Sequence, residues 1–227
     1  MSPPSACPSC GHEIRNRHNV PVLAWLVLRG RCYDCAEPIS PRYPLVELGT
    51  GIGFVLVALR MGTDDQGLRL LPAYLAFAGI GIALALIDLD VRRLPDVIVL
   101  PSYPVLAALL TLAGDGHALL RAAEGGAILG AFYFVVWYVA PGGMGFGDVK
   151  LSGLVGAMTA YLGWGTFLVG AFAGFLLGAV AGVLLMAGGQ AGRKSAVPFG
   201  PFMIHAAWTA ILGAGALGDL YLRSIGL

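Results

Sequence analysis

The chain has 227 residues, of which 57% are hydrophobic and only 12% charged, against about 25% charged for a typical soluble domain. With a mean hydropathy of +0.79, this composition excludes an ordinary water-soluble globule, and it excludes a disordered chain because too much apolar surface would need solvation. A net charge of +1 gives no electrostatic basis for binding nucleic acid. What remains is a polytopic membrane protein in a lipid bilayer. Its thirty-four glycines suit helices that pack backbone to backbone.

Residues 1–43 form a small polar head that holds all four cysteines and five of the fourteen Lys and Arg residues. Met1 to Ala6 contains Ser and Pro rather than an apolar run, so no signal peptide is expected there. Residues 44–227 form the membrane domain. At about 20 apolar residues per spanning helix, seven spans are expected, at 44–61, 69–87, 96–113, 121–140, 148–163, 166–188 and 197–220. Only Gly163-Trp164-Gly165 separates the fifth from the sixth. Lipid offers no partner for a free backbone amide, so the expected fold class is all-α. If the head is cytosolic, the cytosolic segments are 1–43, 88–95, 141–150 and 189–196. They carry ten of the fourteen cations, and the far side has Arg60, Arg69, Arg121 and Arg223. The excess of cations on the head side predicts a cytosolic head.

Within the head, Cys7-Pro-Ser-Cys10 and Cys32-Tyr-Asp-Cys35 are two CxxC pairs with 21 residues between the inner cysteines. Each pair sets two thiolates on one tight turn, and two such turns complete the tetrahedron of a zinc ribbon. Two disulfides are the alternative, disfavoured in a reducing cytosol. A head this small also lacks the core to fold alone, which a structural zinc would remedy. His12 and His18 are expected to be solvated rather than ligands.

Carboxylates in a membrane body are costly and mark function. Asp64, Asp65, Asp115 and Glu124 fall in or near outer-side loops, and Asp219 near the last helix end, leaving Glu47, Asp88, Asp90, Asp96 and Asp148. Asp88 and Asp90 lie in the stretch Asp88-Leu-Asp-Val-Arg-Arg-Leu-Pro-Asp96, where Asp90 and Asp96 are expected to pair with Arg92 and Arg93. Asp148 closes Gly142-Gly-Met-Gly-Phe-Gly-Asp148-Val-Lys150 and opens the fifth span. The topology puts both clusters at the cytosolic face, where two carboxylates can share a proton and activate water for amide hydrolysis. No GxSxG or HExxH motif competes. A proton-coupled carrier with two intramembrane acids explains the carboxylates equally well on spacing alone, although it predicts mid-span acids and an internal repeat, neither of which is present.

Larger motifs decide between these readings. Cys7-Pro-Ser-Cys10-Gly-His12, Asn19-Val-Pro21-Val-Leu-Ala-Trp25, Leu28-Arg-Gly-Arg-Cys32 and Pro38-Ile-Ser-Pro-Arg-Tyr-Pro-Leu-Val-Glu47 come first. Ile87-Asp88-Leu-Asp90, Leu94-Pro95-Asp96, Gly143-Met-Gly145-Phe-Gly147-Asp148-Val-Lys150 and Pro198-Phe-Gly-Pro201-Phe202 follow. Together they resemble the type IV prepilin peptidases, membrane aspartic proteases of the GxGD type. The resemblance implies a catalytic pair at Asp88 and Asp148, supported by Gly145, Phe146, Gly147 and Lys150. Asp88 is chosen over Asp90 because the family's first aspartate stands eight positions before the residue after its proline, here Asp96. It further implies cleavage of the leader of type IV prepilins and pseudopilins after a glycine, at the cytosolic face of the bacterial inner membrane. Many members then methylate the new amino terminus with S-adenosylmethionine. Family members usually carry a further span before the cysteine head, and one span fewer is consistent with an inside amino terminus. An inactive zinc-headed scaffold is the third reading, and the presence of both aspartates argues against it.

Overall fold

The structure, a computed structural model, describes residues 5–139, 144–188 and 198–226. Among these residues it is helical, without a β-strand. The chain divides within one helix into two compact units, residues 1–55 and 56–227.

The first unit is built on two knuckles of the same design. In one, the Cys7 amide donates to His12 O (3.0 Å) and the Gly11 amide to Cys7 O (2.9 Å); in the other, Cys32 donates to Glu37 O (2.8 Å) and Ala36 to Cys32 O (3.0 Å). Both turns need a left-handed residue four positions after the first cysteine. Gly11 (φ 71°) supplies it without strain, but Ala36 (φ 57°) does so with a Cβ, at a cost of about 1–2 kcal/mol. Ala36→Gly is therefore expected to stabilise the head by about 1 kcal/mol, read as a higher temperature for its thermal unfolding. Between the knuckles runs the short helix α1 (Leu23–Val27). Its Trp25 lies where a Cβ on Gly30 would fall, and donates its indole N–H to Ile39 O (3.0 Å). Glu47 accepts the Val22 amide (2.7 Å), satisfying a donor in a turn where Val22 takes positive φ.

Among the described residues seven helical segments follow, near the expected places: α2 (Arg42–Met61), α3 (Asp65–Val91), α4 (Asp96–Thr111), α5 (Gly116–Val139), α6 (Phe146–Leu162), α7 (Trp164–Ala187) and α8 (Gly200–Thr209), which continues through a π-helical turn (Ala210–Ala214) into α9 (Gly215–Ser224). Five of these are long and apolar enough to cross a membrane: α2, α3, α5, α7 up to Leu184, and the α8–α9 segment. With 16 and 17 residues, α4 and α6 fall short of the usual spanning length. Large apolar side chains such as Leu59, Val135, Phe172 and Leu184 face outward, a surface that lipid covers and water would not. The chain is a multi-pass membrane protein.

Small residues set the packing in the second unit. α5 and α6 touch along their length, and a Cβ on Gly156 would run into the Gly125 carbonyl, just as one on Gly125 would strike Ala160 and Gly156. Gly165 of α7 and Gly218 of α9 meet in the same way. Such contacts supply van der Waals packing where lipid removes any hydrophobic drive between helices. Gly156→Val is expected to lower stability by about 1–3 kcal/mol through overpacking, read as thermal unfolding in detergent. Gly182→Ala, where nothing lies within 4 Å of the new Cβ, should leave it unchanged.

Two arginines, Arg121 and Arg60, reach across the bundle to backbone carbonyls. Arg121 of α5 donates to the carbonyls of Ala160 (2.6 Å) and Tyr161 at the carboxyl end of α6. Arg60 of α2 donates to Ile211 O (2.8 Å) in the π-helical turn. Ala160 O also takes the Gly163 amide (3.1 Å), and the Arg121 guanidinium adds a positive charge at the negative end of the α6 dipole.

Candidate active site

Three helix ends and one loop converge in the second unit. Asp88 lies in the last turn of α3, which ends when Arg92 adopts the left-handed conformation (φ 52°, ψ 41°) and donates its amide to Asp88 O (2.8 Å). Asp148 lies in the first turn of α6. Its Oδ2 reaches back to accept the Gly145 amide (3.1 Å), and the Asp148 amide donates to Gly145 O (3.1 Å). This reciprocal arrangement needs an acid three positions after the cap. The two acids therefore stand at opposite ends of their helix dipoles.

Both carboxylates are buried, at 4% and 6% relative exposure, while Asp90 is exposed. Residues two apart on a helix do not share a face, so only one of Asp88 and Asp90 turns inward. The two buried carboxylates are close enough for their charges to interact. Asp148 Oδ1 accepts no hydrogen bond among the described residues. A buried acceptor of this kind ordinarily takes a partner, and it can receive the proton of a water or of a substrate group.

The surroundings hold this geometry. The Gly200 amide, at the start of α8, donates to Asp88 Oδ2 (3.1 Å) and lies within reach of Asp148. Leu94, in the loop after α3, is buried where a Cβ on Gly147 would meet it at 2.9 Å and one on Gly200 at 3.5 Å. Its one side chain thus wedges between the starts of α6 and α8. Tyr133 of α5 is buried and lies within electrostatic reach of Asp148.

The supporting loop is described from Met144 onward, and Gly142 and Gly143 lie outside the described residues, as do Arg193 and Lys194. Phe146 is exposed against Trp137 (5.1 Å between centroids), with Lys150 Nζ 5.3 Å from its ring. Lys150 also pairs with Asp96. Asp96 thus takes its partner across the helix interface rather than from Arg92 or Arg93, because α4 starts beside the first turn of α6. Asp96 is more than half exposed, so Asp96→Asn is expected to change stability by no more than about 1 kcal/mol and to leave the protein folded on thermal unfolding.

In the first unit the Sγ atoms of Cys7, Cys10, Cys32 and Cys35 lie within 4.8 Å of one another, and none of the four is in a disulfide. A tetrahedron of metal–sulfur bonds of about 2.3 Å places its sulfurs about 3.8 Å apart, and Cys7 and Cys35 stand 3.9 Å apart. The four cysteines can hold a metal ion. His12 and His18 are not part of the cluster, and the His18 ring instead stacks on Tyr33 (4.7 Å).

Sequence comparison adds to the geometry. The bacterial peptidase A24 N-terminal domain matches residues 1–61, and the type IV leader peptidase family matches residues 75–186. A prepilin leader peptidase/N-methyltransferase of Aeromonas hydrophila is 36% identical over 99% of this chain and 76% of its own length. Proteins of the same description from Pseudomonas putida (39%, covering 92% of this chain and 72% of theirs) and Pseudomonas aeruginosa (37%, 99% and 76%) are similarly close. No solved structure matches the chain. None of these matches supports a carrier, and the chain belongs to the type IV leader peptidase family.

Proposed function

We propose that this protein is a membrane aspartic endopeptidase that removes the leader of type IV prepilins and pseudopilins, with Asp88 and Asp148 as its catalytic pair. The observation that carries this reading is two buried carboxylates at facing helix ends, one with an oxygen left unpartnered. With one proton shared between them, the ionised carboxylate takes a proton from water as its oxygen attacks the scissile carbonyl. The protonated carboxyl donates to the oxygen of that carbonyl. Collapse of the tetrahedral intermediate breaks the C–N bond, and the leaving amine departs with a proton from the pair.

The charge distribution supports a cytosolic head and an active site at the cytosolic face of the bacterial inner membrane. The four-cysteine cluster suits zinc, whose tetrahedral preference and affinity for thiolates match this donor set. Methylation of the new amino terminus is the second activity, after the name the relatives bear. The head contains a cleft of about 490 Å³ lined in part by Glu13, Glu47 and Trp25, and also by Asp34 and Tyr33, which Arg15 engages through an ion pair (3.4 Å) and a cation–π contact (4.3 Å). Acidic and aromatic side chains suit a sulfonium cation, the reacting group of S-adenosylmethionine.

Incubating the proteoliposome-reconstituted protein with a prepilin, with and without S-adenosylmethionine, tests both activities by mass spectrometry. Loss of the leader is expected in both cases, with the added mass of a methyl group only when the donor is present. Intact prepilin after prolonged incubation contradicts the peptidase reading, and cleavage without methyl gain contradicts the second activity alone.

A further inference from the structure

We infer that Gly200 and Phe199, at the amino end of α8, are positioning residues for the aspartate pair, a role that rests on the catalytic reading of Asp88 and Asp148. Gly200 is buried and its amide donates to Asp88 Oδ2 at 3.1 Å. It is the one hydrogen bond to the Asp88 side chain found among the described residues. The donor comes from 112 residues further along the chain, so the place of α8 sets where this carboxylate points. The approach is close enough that a side chain here would displace the carboxylate: a Cβ on Gly200 would stand 2.9 Å from Asp88 Oδ2, and in ordinary contact at 3.5 Å from Leu94.

Phe199 fixes the position of that amide. Its ring occupies the space that a Cβ on Gly178 of α7 would take. The same ring meets Tyr133 of α5 edge-on at 5.9 Å and Phe202 at 6.4 Å. A large aromatic wedged between two helices has few places to go, because packed interiors deform little. Tyr133, on the other side of the ring, reaches Asp148 electrostatically. One ring therefore links the elements around both carboxylates, and neither Phe199 nor Gly200 need touch the substrate.

Three variants test this. Gly200→Ala keeps the amide but forces Asp88 and the start of α8 apart. Gly178→Ala acts from another helix by driving its methyl into the Phe199 ring. Phe199→Leu removes the wedge. Each is expected to lower kcat for leader cleavage by about 100-fold through misplacement of a reacting group by about 1 Å, with KM within about threefold of the parent value. The Gly200→Ala melting temperature should stay within a few degrees of the parent, since a role in folding alone would move melting rather than kcat, whereas Gly178→Ala, which overpacks, should melt lower and is compared by its kcat in the folded protein. A Gly178→Ala/Phe199→Leu double variant is expected to recover part of the loss, because the smaller side chain accommodates the methyl. If Gly200→Ala and Gly178→Ala cleave within about threefold of wild type while Asp88→Asn and Asp148→Asn are inactive, the positioning role is wrong and the catalytic pair stands. If cleavage persists in Asp88→Asn or Asp148→Asn, the catalytic reading itself fails.

Discussion

Asp88→Asn and Asp148→Asn are each expected to reduce leader cleavage at least about 10³-fold while leaving the protein folded and inserted. General acid–base catalysis by one positioned group contributes about 10²–10⁴-fold. On the proposed mechanism the two carboxylates act as one unit, so losing either would remove the shared proton as well as one oxygen donor set. The neutral amide preserves size, and at position 148 its oxygen can still accept the Gly145 amide that caps α6. Position 88 likewise keeps an oxygen for the Gly200 amide. Activity should therefore fall much further than stability. Processing of a prepilin in proteoliposomes, followed beside thermal unfolding of each variant, measures the two effects separately.

Replacing Cys7 or Cys32 by serine is expected to release the metal and unfold the head. Trp25, Gly30 and Ile39 provide only a small packed centre in the first unit, too little to offset chain entropy. Structural zinc in small peptides supplies about 10–16 kcal/mol of folding free energy, so on the zinc reading its loss would remove the main source of the head's stability. Elemental analysis should give one zinc per chain before substitution and less afterwards. Methylation should fall with it, whereas cleavage should persist at a reduced level because both aspartates lie in the membrane domain. Absence of zinc from protein prepared under reducing conditions contradicts this account.

Much of the architecture was legible because its causes are local. Lipid forces each span to satisfy its own backbone, so runs of apolar residues located the seven helical segments among the described residues, although α4 and α6 are shorter than a span. A CxxC turn similarly brings two thiols together whatever surrounds it. Partnerships across the bundle were not legible. Arg60 and Arg121 entered the topology only as charges, yet their long side chains reach the carbonyls of Ile211 and of Ala160 and Tyr161. Sequence proximity pairs Asp96 with its neighbours Arg92 and Arg93, but the packing of α4 on α6 offers it Lys150. Leu94 and Gly200 lay inside recognisable motifs with no role attached. Their roles arise only where the ends of α3, α6 and α8 meet, and no spacing rule spans the 112 residues between Gly200 and Asp88.

Asp88 and Asp90 stand two residues apart on one helix, one buried and the other exposed. A side-by-side measurement of kcat for Asp88→Asn and Asp90→Asn, with purified prepilin in proteoliposomes, therefore tests the catalytic assignment most directly. Asp90→Asn should remain within about threefold of wild type, since its carboxylate lies off the inward face, while Asp88→Asn should produce no measurable leader loss. Robust cleavage by Asp88→Asn, or its abolition in Asp90→Asn with Asp88 intact, would contradict the account.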